Sequence, residues 1–230
     1  MKRHVICIYK LLKAGHRVAI CEQVEDPKHA KGIVKREVVE VLSPGTAIAD
    51  KYLDQKENNY LCAVTFEKRQ CGIAILDNST GEFYSCSRNH EDLCSILKQF
   101  YVSEVIISDD QEDDLRLITR GEEIFTTTIP DWCRSRETAY ESLTDFYNVS
   151  SLKGFGIEDN PLAISSAGCA LYYVNKNFNG RIQHVQPLSI LQEQGIMSLD
   201  AFTIRNLELF NSLSNQGIHG TLISTIDQTI

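Results

Sequence analysis

Cys21, Glu22, Asp26 and His29 lie close together in the stretch RVAICEQVEDPKH, and all four are residue types that ligate metals. Ligation needs convergence. If residues 16–23 form a strand, Cys21 and Glu22 point to opposite faces, and Asp26 sits in a turn before Pro27. The pattern predicts a buried thiol among solvated charges, with no metal site. Other chemistry-bearing patterns are equally incomplete. The six histidines show no HxH or HExxH arrangement. No GxSxG elbow is present, and no Ser or Cys stands beside a general base. GFGIED at 154–159 begins like a phosphate-binding GxGxxG loop. Asp159 replaces the third glycine, and the segment joins two predicted helices, so it reads as a turn. The eight cysteines include no CxxC pair and read as mostly buried free thiols of a reducing cytosol. Cys62 and Cys71 are candidate cross-strand neighbours. No catalytic residue, metal site or cofactor site is predicted.

Charge is the remaining signal. The net charge is −8, yet residues 1–42 carry nine Lys or Arg against five Asp or Glu, a local +4 that leaves −12 for the rest. Phosphate neutralisation supplies most nucleic-acid affinity, so only this first segment qualifies as a polyanion surface. Lys28, Lys31, Lys35 and Arg36 form its densest group, readable either as phosphate contacts or as an ordinary solvated face. The acidic run at 109–114 reads as a solvated face. No run of about eighteen apolar residues predicts a membrane span. The basic N-terminus makes a poor signal peptide and a better amphipathic helix.

The elements that would position these groups fall into three parts. A helix at roughly 3–14, closed by Gly15, precedes strands HRVAICEQ and VKREVVEVL and the turn SPGT. Together they are too small for a core of their own. Residues 1–49 therefore read as part of an α/β domain, and polar 50–59 as a linker. Residues 60–180 begin a second domain. YLCAVTF, CGIAILD and GEFYSCS are strands joined by short connections, hence antiparallel. NHEDLCSILKQFY is a helix with Asn89 as its N-cap, SEVIIS a central parallel strand, and EIFTTTI a fifth strand. RETAYESLTDFY and PLAISSAGCALYYVNKNF are helices. Residues 181–230 begin a helical domain, with a helix over 198–213 whose apolar stripe includes Phe202 and Phe210 and whose entry is stapled by Met197 and Phe202. The first helix lacks a cap and TLISTIDQTI runs to Ile230 without a stop signal, so a piece of a longer chain is expected.

Three antiparallel strands, then alternating helix and strand, then helices resemble the ribonuclease H architecture. That resemblance raises a metal-dependent nuclease as the alternative function. Two-metal cleavage needs converging carboxylates, and the available ones, Asp77, Glu82, Asp109 and Asp110, fall at strand ends or in turns.

The stretch AGHRVAICEQVEDPKHAKGIVKREVVEVLSPGT closely resembles the end of the mismatch-recognition domain of the MutS family of DNA mismatch-repair proteins. LDNSTGEF, YESLTDFYNVSSLKGFGIEDNPLAISSAGCAL and SLDAFTIRNLELF follow in the order of that family's connector domain and the start of its core domain. The resemblance implies a ribonuclease H-like connector, a mixed sheet with helices. It is flanked by a partial α/β mismatch-recognition domain and by the first helices of an all-α core. The family's Phe-x-Glu wedge and its GxxxxGK[ST] ATPase loop are not found in the sequence, so ATP and Mg are expected only in the parent protein. The resemblance makes Lys35 and Arg36 candidate DNA-backbone contacts. It implies mismatched double-stranded DNA and MutL as partners, a dimeric parent, a monomeric fragment, a cytoplasmic location and no enzyme activity for the fragment.

Overall fold

The computed structural model describes residues 2–25, 33–47, 58–122, 124–191, 201–210, 212 and 220–226. Two units result, Met1–Leu191 and Gln192–Ile230. In the first, helix α1 (Lys2–Lys13) stops where Gly15 takes a φ of +75°. The Gly15 amide donates to the Leu12 carbonyl at 3.0 Å and His16 to Leu11 at 2.9 Å, the closure that a left-handed glycine permits. Strands β1 (Val18–Gln23) and β2 (Arg36–Leu42) then pair antiparallel, from Val18 opposite Leu42 to Gln23 opposite Arg36, with an irregularity between Ile20 and Cys21. A two-stranded sheet is not stable alone. This one leans on the neighbouring core, where Leu12 and Leu42 are buried and Ile8, Val18 and Ile20 pack against it.

That core belongs to a six-stranded mixed sheet of order β7-β6-β3-β4-β5-β8. Its members are β3 (Tyr60–Glu67), β4 (Gln70–Asp77), β5 (Phe83–Asn89), β6 (Glu104–Ser108), β7 (Thr126–Ile129) and β8 (Ser189–Ile190). β3, β4 and β5 are antiparallel neighbours, whereas β6 runs parallel to both β3 and β7. The central strands are mostly apolar because both faces are covered. On one face Cys62, Val64, Ile73, Ile75, Val105 and Ile107 pack under helices α2 (His90–Gln99) and α3 (Glu112–Ile118). Leu61, Ala63, Ala74, Leu76 and Ile106 alternate onto the other face, under α4 (Arg136–Tyr147) and α5 (Pro161–Asn177). Asn160 caps α5, its side chain accepting from the Ala163 amide at 3.1 Å with Pro161 beside it.

Several expectations need correction. Asn89 is extended at the start of α2, but its side chain makes no capping bond; it is the last residue of β5. Cys62 stands opposite Ile75 and Cys71 opposite Phe66, so the two thiols share a face without being cross-strand partners. Cys21 is exposed, on a sheet with little core of its own, and Cys7 of α1 is exposed as well. The acidic run continues into α3, and inside it Gln111 is buried, exchanging two hydrogen bonds with the Phe66 backbone at 3.0 and 2.7 Å. Residues 181–191 pack into the first unit, with Ile182, Val185 and Leu188 buried and β8 paired to β5.

In the second unit the helix expected over 198–213 covers only α6 (Ala201–Asn206) among the described residues. Glu208 takes a φ of +47° and its amide turns back to Arg205, a geometry in which a helix cannot continue. Residues 197–200, with Met197 of the expected staple, lie outside the described residues, as do 211 and 213, and Phe202 is exposed. A short helix α7 (Leu222–Ile226) follows. No described helix is long and apolar enough to cross a membrane.

Burial pushes the Cys71 thiol up to about 12 and Cys133 to about 11. With Ellman's reagent at neutral pH, Cys7 and Cys21 are expected to react first, Cys94 more slowly, and the five buried thiols only on unfolding. Because these folded-state values are raised, their stabilising contribution is complete below the ordinary thiol value near 9. It is lost as pH climbs through the folded values. The melting midpoint is therefore expected to fall steadily above that point; a midpoint flat across this range contradicts the burial.

Candidate functional site

The basic face comes first. Arg36 opens β2 and Lys35 immediately precedes it. Lys35 is exposed and its ammonium is 2.5 Å from the Glu37 carboxylate, whose hydrogen bond and charge push the lysine up. The Lys35 amide donates to Glu25 at 3.2 Å, and Glu37 faces Glu22 across the sheet. Arg36 stands opposite Gln23 across the sheet. Carboxylates therefore interleave the cations, so a phosphate would compete with Glu37 for Lys35. Lys28, Lys31, Asp26 and His29 lie outside the described residues.

The nuclease carboxylates do not assemble. Asp77 is buried and serves its own turn, accepting from the Ser79 amide at 2.7 Å, the Ser79 hydroxyl at 2.6 Å and the Asn59 amide at 3.2 Å. Glu82 accepts from the Tyr60 hydroxyl at 2.8 Å. The Ser108 hydroxyl, and then Arg134 at 2.6 Å, hold the Asp110 carboxyl below the usual range. Among the described residues no three His, Cys, Asp or Glu side chains group so as to hold a metal ion.

One acidic residue outside that set is differently placed. Glu104 opens the apolar strand β6 and has no exposed surface. One carboxylate oxygen accepts from the Thr127 hydroxyl of β7 at 2.7 Å and from the Tyr173 hydroxyl of α5 at 2.7 Å. The other accepts from the Gly45 amide at 2.9 Å and from the Ser43 hydroxyl. Four donors satisfy the carboxylate, which makes its burial tolerable. Burial, and then the adjacent Glu104 charge, push the Tyr173 phenol up. The Arg17 guanidinium, at the entry to β1, reaches the same phenol at 3.4 Å and lies 5.9 Å from its ring centre.

Ser43 and Gly45 belong to SPGT, the turn leaving β2. The turn is gripped elsewhere as well. Asn59 donates to the Pro44 carbonyl at 2.7 Å and to Ala47 at 3.1 Å, while Asn78 donates to Thr46 at 3.3 Å. Only glycine fits at position 45, because a Cβ there would stand 2.6 Å from the Glu104 Cβ. Sequence reasoning treated SEVIIS as a plain central strand. A lone carboxylate in so apolar a run was the available signal, since such a group is stable only with partners.

Residues 59–186 match the family model described as MutS domain II, and residues 3–51 match MutS domain I. The chain belongs to the MutS family. It resembles the DNA mismatch repair protein MutS of Flavobacterium johnsoniae, 40% identical over 221 residues, or 96% of this chain and 25% of that protein. The DNA mismatch repair protein MutS of Cytophaga hutchinsonii is 39% identical over 220 residues, and that of Chlorobium limicola 38% over 229, covering 25% and 26% of those proteins. The chain thus spans about a quarter of the length of the curated relatives it matches. In MutS terms, the SPGT turn is the end of domain I and Glu104 lies within domain II. The buried carboxylate joins the two MutS domains.

Gly45→Ala is expected to lower stability in urea by about 1–3 kcal/mol through forced displacement of Glu104. Gly154→Ala, whose Cβ meets nothing within 4 Å, is the control and should change stability far less. Equal effects contradict the crowding at the joint.

Proposed function

We propose that this chain is the DNA-proximal and coupling region of a mismatch-repair protein. The observation that carries this is the joint itself: the end of MutS domain I is hydrogen-bonded through Glu104 into a central strand of domain II. In this reading the parent protein binds mispaired double-stranded DNA, and Lys35 and Arg36 contact its backbone, positioning the duplex without reading bases. The six-stranded sheet acts as a ribonuclease H-like connector, and residues beyond it open an all-α core. ATP and Mg are bound outside these residues, and nucleotide state alters domain orientation and hence access of MutL. The parent acts as a dimer in the cytoplasm, and the 230-residue chain alone is monomeric and has no catalytic activity. A nuclease reading has no support, because the carboxylates it needs serve separate local contacts.

Binding of the intact protein to matched and mismatched duplexes across a salt series tests the proposal. Arg36→Ala is expected to weaken both complexes by the same factor and to reduce the slope of log K against log salt by about 0.9. Lys35→Ala should do less, since Glu37 already neutralises that cation. Loss confined to the mismatched duplex, or no loss from either variant, contradicts backbone contact by this pair.

A further inference from the structure

Besides the apolar packing of Leu12, Leu42, Ile8, Val18 and Ile20 and the Arg17–Tyr173 contact, three sets of hydrogen bonds among the described residues tie the β1–β2 sheet to the larger sheet and its helices. One is the carboxylate of Glu104 with the SPGT turn. A second is the pair of amides from Asn59 and Asn78 to the backbone of the same turn. The third is exposed, with Asn179 and Arg181 after α5 donating to the Val38 and Val39 carbonyls at 2.9 to 3.2 Å.

Of these only Glu104 contacts three elements at once, the turn, β7 and α5, from a place inside the sheet. Asn59 and Asn78 are buried too, but they lie outside the strand interiors and their side-chain amides hold backbone carbonyls of the turn alone. A carboxylate accepts from four donors at once. A carboxamide at the same place would aim an NH2 group at two hydroxyls or at the Gly45 amide, leaving buried donors unpaired. Next to it, Arg17 of the β1 entry reaches Tyr173, so the same cluster touches both strands at one end of the small sheet, where Val18 stands opposite Leu42.

We propose that Glu104 is the positioning residue that fixes the orientation of the β1–β2 sheet on the six-stranded sheet and passes displacement of that sheet directly to β6. β6 is hydrogen-bonded on both sides, to β3 and β7. A pull on the turn is therefore felt by the interior of the sheet, not absorbed in a loop. The coupling part of this inference rests on the mismatch-repair reading; the positioning part does not.

The test uses the intact protein with spin labels attached through an unnatural amino acid at Val38 on β2 and Leu117 on α3, both exposed. A single narrow distance distribution is expected for the parent sequence, and Glu104→Gln should replace it with a broad one. Tyr173→Phe and Thr127→Val each remove one donor without adding a buried polar group. They should broaden the distribution partially and provide the reading if Glu104→Gln fails to fold. Arg181→Gln, at the exposed contact, should leave it narrow. Narrow distributions in Tyr173→Phe and Thr127→Val overturn the proposal, as does a narrow one in folded Glu104→Gln. In the same samples, stimulation of ATP turnover by mismatched duplex should fall about fivefold in Glu104→Gln with DNA affinity kept. Unchanged stimulation overturns the coupling part. Absence of stimulation in the parent sequence overturns the mismatch-repair reading, while the distances still decide the positioning part.

Discussion

Taking a carboxylate fully out of water costs several kcal/mol, and only a complete set of donors offsets it. Glu104 meets that condition with groups from three separate elements: the turn after β2, strand β7 and helix α5. A charged acceptor strengthens each of those bonds to roughly 1.5–3 kcal/mol. None of the three elements can move away without leaving the carboxylate short of a partner. The constraint is mutual, so the small β1–β2 sheet inherits the rigidity of the larger one.

The remainder of the first unit makes that constraint effective. β6 lies between β3 and β7, its side chains alternating between two buried faces. Its first residue is therefore held by the ladder and by packing from above and below. On the far side of the joint, β1 and β2 have little core of their own and carry an interleaved set of cations and carboxylates at their outer end.

Much of the fold was legible because its signals are local. The alternating or continuous apolar runs of β3, β4 and β6, the glycine after α1 and the long helices of α4 and α5 are written in adjacent residues. What was not legible depends on distant partners. Asn89 looks like a helix cap, but the ladder of β5 claims it first. Gln111 looks like surface until it meets the Phe66 backbone. Ser189 and Ile190 form a strand only because β5 has an open edge. The candidate site divides the same way. Lys35 and Arg36 were found as charge, but the neutralising Glu37 partner needed the rotamers. Glu104 was overlooked because its donors come from positions 43, 45, 127 and 173, a convergence that no single stretch displays.

Amide hydrogen exchange at Gly45 tests the joint most directly. This amide lies in a turn, where exchange is ordinarily fast, yet it donates to a carboxylate with no exposed surface. The account predicts protection comparable to that of the β3–β6 ladder, so that Gly45 exchanges only when the larger sheet opens. Exchange at the rate of an exposed turn, with the ladder still protected, would mean that the turn detaches freely and that Glu104 does not hold the two domains together.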